Sequence, residues 1–183
     1  MHKTKLLLIK KGYELMSDKG FYATSIRDVI LAAGIPKGSF YYYFESKEMY
    51  CLEIINYLSD IIDNISLKHI NKNNDFDTKD IMNFIEEIFN NNTKTGLLIL
   101  KLSSELSART DFLGEAIKHL IDTIINYVSI LLAKKHEAYK AQELADMLIF
   151  SRIGLVCKEL QNVNSPRFNQ QIIEDLYKVF LDD

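Results

Sequence analysis

The chain has 183 residues, of which 48% are apolar and 26% charged, with a formal net charge of −3. Such a composition belongs to a globular chain, long enough for one ordinary domain or for a small module fused to a larger one, and it excludes disorder as the default state. With two cysteines, no apolar run approaching a membrane span and no signal-peptide core, the expectation is a soluble cytoplasmic protein with no membrane partner and no disulfide framework.

Two prolines and seven glycines are little punctuation for this length, which favours long helices and an all-α fold. Charge is unevenly distributed. Residues 1–50 carry eight Lys/Arg against five Asp/Glu, a local +3, whereas residues 51–183 carry fourteen against twenty, a local −6. The pattern suggests a basic head suited to phosphates and an acidic body.

Apolar spacing is helical almost throughout. Leu6, Ile9, Tyr13 and Met16 mark a first helix, closed by Gly20 as a left-handed cap. Ser25 or Thr24 caps a short second helix carrying Ile26, Val29, Ile30 and Ala33, with Asp28 in its first turn and Gly34 at its end. Pro36 opens a third helix. Ser46 caps a long fourth, whose stripe runs through Cys51 or Leu52, Ile55, Leu58, Ile62 and Ile65.

Residues 71–77 read as a polar loop before a fifth helix with Ile81, Phe84, Ile85, Ile88 and Phe89. After a break at 90–93 come a sixth helix, 97–106, and a seventh that starts at Asp111 and runs through Leu131. Residues 139–161 give an eighth, and Pro166 precedes a ninth with Ile172, Ile173, Leu176, Tyr177 and Phe180.

The stretch that carries chemistry is TSIRDVILAAGIPKGSFYYYFESK, residues 24–47. A short helix, a tight turn at Gly34-Ile35 and a second short helix form the helix-turn-helix arrangement. Burial of Val29, Ala33, Ile35 and Phe40 between the two helices is expected to hold the second rigidly outward. Phe40 and Phe44, four apart, share its inner face. Lys37, Gly38, Ser39, Tyr41, Tyr42 and Tyr43 cover much of the rest, and with Thr24, Ser25 and Lys47 they form the DNA-contacting set. Lysine and serine reach base edges or phosphates, Gly38 admits the backbone close to DNA, and tyrosine hydroxyls bond phosphate oxygens.

This stretch resembles the DNA-binding head of the TetR family of bacterial transcriptional regulators. GFYATSIRDV at 20–29 is similar to the family's glycine-aromatic-x-x-Thr-[Ser/Thr] opening. AGIPKGSFYYYF at 33–44, followed by Ser46 and Lys47, is similar to its AGV-S-KG-x-[LF]-Y-x-[HY]-F signature. Pro36 stands where serine or threonine is common, which removes one hydroxyl that could bond phosphate. Gly96-Leu97-Leu98, Leu102 and Glu105-Leu106 resemble one ligand-binding subgroup of that family, which includes electrophile and small-acid sensors. Its sensing members often carry cysteine beside the glycine, where Thr95 stands here.

The resemblance implies a homodimer built from the last two long helices of each subunit, an apolar pocket for an unknown small-molecule effector, and a palindromic operator of double-stranded DNA. Effector binding would move the fourth helix and spread the heads beyond one turn of DNA, roughly 34–36 Å. The expected organisation is a helix-turn-helix domain at 1–46, with the motif at about 25–44, and a helical effector-binding and dimerisation domain at 47–183, about nine helices in all. The function expected is sequence-specific repression relieved by an apolar or amphipathic effector.

Pocket candidates are Phe84, Ile88 and Leu102, with the polar or aromatic residues Glu105, His119, Asn126, Tyr127, Phe150 and Arg152 in apolar surroundings. Candidates for the dimer interface are Leu148, Cys157, Leu160, Ile173, Leu176 and Phe180. Neither cysteine has the setting of a sensing thiol, and His2, His69, His119 and His136 show no metal-ligand spacing, so no metal and no cofactor are expected. No nucleophile sits beside a base, and no phosphate-loop or metalloprotease pattern occurs, so an enzyme is not expected. The alternative is a helix-turn-helix protein without ligand control that acts through protein partners.

Overall fold

The computed structural model describes residues 3–70, 78–89 and 94–160, with the backbone alone for Ile70, Thr78 and 155–160. Every regular element among them is a helix: α1 (Lys3–Lys19), α2 (Ile26–Ala33), α3 (Lys37–Tyr43), α4 (Lys47–Ile70), α5 (Thr78–Phe89), α6 (Lys94–Leu106), α7 (Phe112–Leu132) and α8 (Ala138–Leu160). The expected ninth helix, with Ile173, Leu176 and Phe180, lies outside the described residues.

Local chemistry explains the boundaries. Gly20, at φ 85°, ends α1. Of the two caps left open by the sequence, Ser25 holds α2: its hydroxyl accepts from the Asp28 amide at 3.1 Å, and the Asp28 carboxylate accepts from the Ser25 amide at 3.0 Å. Gly34 closes α2 in the left-handed conformation, at φ 66°. Pro36 is the N-cap of α3 rather than its first helical residue, with ψ 147° leaving it extended. Ser46 accepts from the Met49 amide at 3.0 Å, and Asp111 accepts from the Gly114 amide at 3.3 Å, which caps α4 and α7 as their sequences suggest.

The chain divides into two compact units. One contains α1, α2, α3, α4 up to Ile61, α6, and α7 up to Leu120. In it α6 packs along α1, so the head expected at 1–46 shares a single core with α6 instead of closing on itself. Leu8, Ile9, Met16, Phe21, Phe40, Ile54, Leu58, Leu98, Leu102 and Leu106 fill that core. The other unit contains the later parts of α4 and α7 with α5 and α8. There α5 packs on α8 around Phe84, Ile85, Ile88, Ile124, Val128, Leu144 and Ile149. Among the described residues, no helix is long and apolar enough to cross a membrane.

Candidate nucleic-acid interface

The inner side of α3 is aromatic. Phe40 is fully buried and Phe44 nearly so, and their rings lie 5.1 and 4.8 Å from the ring of Tyr50 in α4. The Tyr50 hydroxyl donates to the Leu8 carbonyl of α1 at 2.6 Å. Gly12 makes this possible, because a Cβ there would stand 2.0 Å from the Tyr50 oxygen. Burial pushes the Tyr50 phenol far above its ordinary pKa. The expected hydrophobic clamp between α2 and α3 is looser. Val29 and Phe40 are buried, but Ala33 and Ile35 are only partly covered, because the weight of α3 rests on α4.

The outer side of α3 is polar and open. Lys37 and Gly38 are exposed, Ser39 is half-buried, and Tyr41 and Tyr42 are 47% and 81% exposed. Lys37 Nζ sits 5.9 Å from the Tyr41 ring centroid. Tyr43 is half-buried, edge-on to Tyr42 at 4.9 Å. No Cβ contact would arise at Gly38, so its backbone is approachable from outside. Between α2 and α3 runs a half-open groove of about 390 Å³, lined by Ile26, Arg27, Ile30, Leu31, Lys37 and Tyr41.

Two residues of the expected DNA-contacting set are engaged elsewhere. Thr24 is 1% exposed, and its hydroxyl donates to the Gly20 carbonyl at 2.7 Å, so it shapes the α1–α2 connection and has no surface for phosphate. Lys47 lies 4.5 Å from the Phe21 ring centroid and donates to the Tyr22 carbonyl at 3.3 Å, so part of its charge serves the same connection. Ser25 remains exposed, though its hydroxyl is committed to the α2 cap.

The α1–α2 connection is also held from α6. Glu105 accepts hydrogen bonds from the amides of Phe21 at 2.6 Å and Tyr22 at 3.1 Å, and its carboxylate occupies the space a Cβ on Gly20 would need, 2.0 Å away. The sequence places Glu105 among pocket candidates, and the structure gives it this positioning task instead. Arg109 donates to the Tyr22 hydroxyl at 3.4 Å and pairs with Asp111, whose pKa falls to about 2 because of the guanidinium hydrogen bonds. No local motif marks Glu105, since its partners lie 84 and 83 residues away.

Residues 8–49 match the model of the family described as bacterial regulatory proteins, tetR family. The head of the chain is of the TetR-family type. The HTH-type transcriptional repressor DhaR of Mycobacterium sp. (strain GP1) is 25% identical over 158 residues, 82% of this chain and 79% of that protein. The HTH-type transcriptional regulator YuxN of Bacillus subtilis (strain 168) is 37% identical over 60 residues, 33% of this chain but 21% of that one. A solved TetR transcriptional regulator from Legionella pneumophila superposes with a TM-score of 0.81 at 21% identity, over 100% of this chain and 97% of that one, and shares the fold.

Outside the head, the pocket candidates are divided between the two units. Phe84 and Ile88 are fully buried in the core built on α5, while Leu102 is buried in the core of the other unit. His119, Asn126 and Phe150 are exposed. Tyr127 donates to Asp63 at 2.9 Å and meets the Phe84 ring edge-on. Arg152 is 4% exposed and donates to the Phe89 carbonyl at 3.0 Å and to Glu86 at 3.3 Å, so it caps the C-terminus of α5. Apolar context alone does not distinguish a residue facing a pocket from one paired inside a core.

Of the interface candidates, Leu148 is 4% exposed and belongs to its own chain's core. Among the described residues of α8, Tyr139, Met147 and Phe150 are the exposed large apolar side chains. The side chains of Cys157 and Leu160, and the whole of Ile173, Leu176 and Phe180, lie outside the described residues. Cys51 is buried, and desolvation pushes its thiol up to about 12, which leaves no thiolate for sensing.

Proposed function

We propose that this regulator binds a palindromic operator as a homodimer through α3, represses transcription, and is released by a small apolar or amphipathic effector. The reading is carried by the two sides of α3. Phe40 and Phe44 lock the helix onto Tyr50, while Lys37, Gly38, Ser39, Tyr41 and Tyr42 face outward. A rigid helix with an outward basic and hydroxyl-bearing face suits the major groove of DNA and its flanking phosphates. The name of DhaR supports repression. Release by an effector is supported by the grip of Glu105 on Phe21 and Tyr22, through which a displacement of α6 would pull directly on the connection into α2.

Residues 1–46 act as the reading head in this proposal, and residues 47–183 supply dimerisation and effector binding. The outward residues Tyr139, Met147 and Phe150 of α8 are the part of the dimer surface that lies within the described residues. The test is selection of bound sequences from a random DNA pool by the full chain. Enrichment of an inverted repeat, with affinity falling steeply as salt rises, is expected. Failure to enrich any sequence at low salt by correctly folded protein overturns the reading and favours action through protein partners.

A further inference from the structure

The groove between α2 and α3 is lined by aliphatic side chains together with two cations. Leu31 is 69% exposed there, beside Ile26 and Ile30, with Arg27, Lys37 and the Tyr41 ring around them. A single exposed leucine is ordinary on a protein surface. An aliphatic cluster between two cations, continuous with the outward face of α3 through Lys37 and Tyr41, is more specific.

Resting on the operator-binding reading above, we propose that this groove reads the C5-methyl group of thymine, with Leu31 as the contacting side chain. The occupant follows from the chemistry of the lining. Arg27 and Lys37 call for phosphate, and a surface that α3 carries into the major groove meets base edges between the two phosphate rows. Among the unmodified bases, only thymine presents an apolar group there. Leu31 thereby adds from α2 a discrimination that hydrogen-bonding residues on α3 do not supply, because a methyl group neither donates nor accepts.

The test uses the inverted repeat enriched by the wild-type chain, with each thymine of one half-site replaced in turn by deoxyuridine, which removes only the methyl group. At one or two positions this replacement is expected to weaken wild-type binding about fourfold, the effect of one buried methyl. Leu31→Ser is expected to bind thymine and deoxyuridine sites alike, while Leu31→Met keeps the difference; circular dichroism checks that both variants fold. Wild-type binding indifferent to every replacement, or a full thymine preference retained by Leu31→Ser, overturns the inference while leaving operator binding intact. Absence of any enriched repeat overturns the operator-binding reading and this inference with it.

Discussion

On the outer side of α3, the side chains of Lys37, Ser39 and Tyr42 form no hydrogen bond with other described residues, whereas in the unit built on α5 and α8 several polar side chains are paired, although His69 Nδ1 and Arg152 Nε stay unpartnered. Arg152 meets Glu86 and the Phe89 carbonyl, Tyr127 meets Asp63, and His69 and Lys68 both meet Glu87. Hydrogen bonding to His69 is the main reason the Glu87 carboxylate stays below its ordinary pKa. The difference teaches that a polar residue near apolar neighbours carries no function by itself. What matters is whether its hydrogen bonds are already made within the chain.

Substitutions on the two sides of α3 test that contrast most severely. Phe40→Ala should cost about 3–5 kcal/mol in denaturant unfolding, because it empties a fully buried site. Tyr42→Ala should change stability by less than about 0.5 kcal/mol, since its ring is 81% exposed, yet lower DNA affinity about tenfold. Equal losses of stability in the two variants would break the comparison.

Arg152→Met sharpens it from the other region. Removing the guanidinium strips the α5 C-terminus of its donor, and a loss of about 1–3 kcal/mol is expected in the same assay. Unchanged stability would mean that Arg152 is held in reserve for a ligand after all.

Gly20 and Glu105 form the next test. Gly20→Ala should cost roughly 1–3 kcal/mol, from a positive φ and a clash with the Glu105 carboxylate. In a Glu105→Ala background the cost should be smaller, because only the backbone strain remains; a coupling of at least about 0.5 kcal/mol across the double-mutant cycle is expected.

The smallest effects concern salt and acid. Lys37→Ala should reduce the slope of log affinity against log salt by about one, and Lys47→Ala by less, since Lys47 is already engaged with Phe21 and Tyr22. Asp28 and Asp111 both have carboxyls held below the ordinary range, Asp28 by its Ser25 hydrogen bonds and Asp111 by Arg109. Their contributions are present above the unfolded pKa, about 3.9, and are lost as pH falls through the folded values, that of Asp111 being about 2. Acid unfolding should therefore begin at lower proton concentration in Asp111→Asn than in the wild type.

The head was legible because its determinants are local. The Ser25–Asp28 box, Gly34 and the Phe40/Phe44 spacing act within a few residues, and each stands where its sequence suggests. The same local logic located the eight described helices. It failed wherever a partner came from far along the chain. Glu105 looks like a pocket acid until Phe21 and Tyr22, 84 and 83 residues away, arrive beside it; Thr24 is a different case, since its partner Gly20 is four residues off and what the local pattern does not report is its burial. Leu148 and Phe150 sit two apart on one helix and so face opposite sides, but with both residues apolar the pattern does not say which side turns into the chain.

The carboxylate of Glu105 also sets the terms on which this protein can be recombined with its relatives. A new operator preference can be grafted by exchanging the outward residues of α3, whose neighbours lie in α2 and whose helix is held by α4. An exchanged α1–α2 connection would need an acid at the matching turn of the recipient's α6, and without one the donor's Phe21 and Tyr22 amides would be left unmet. Swaps that move residues 1–46 as a block should therefore fail more often than those that move α3 alone, and restoring the glutamate should rescue them.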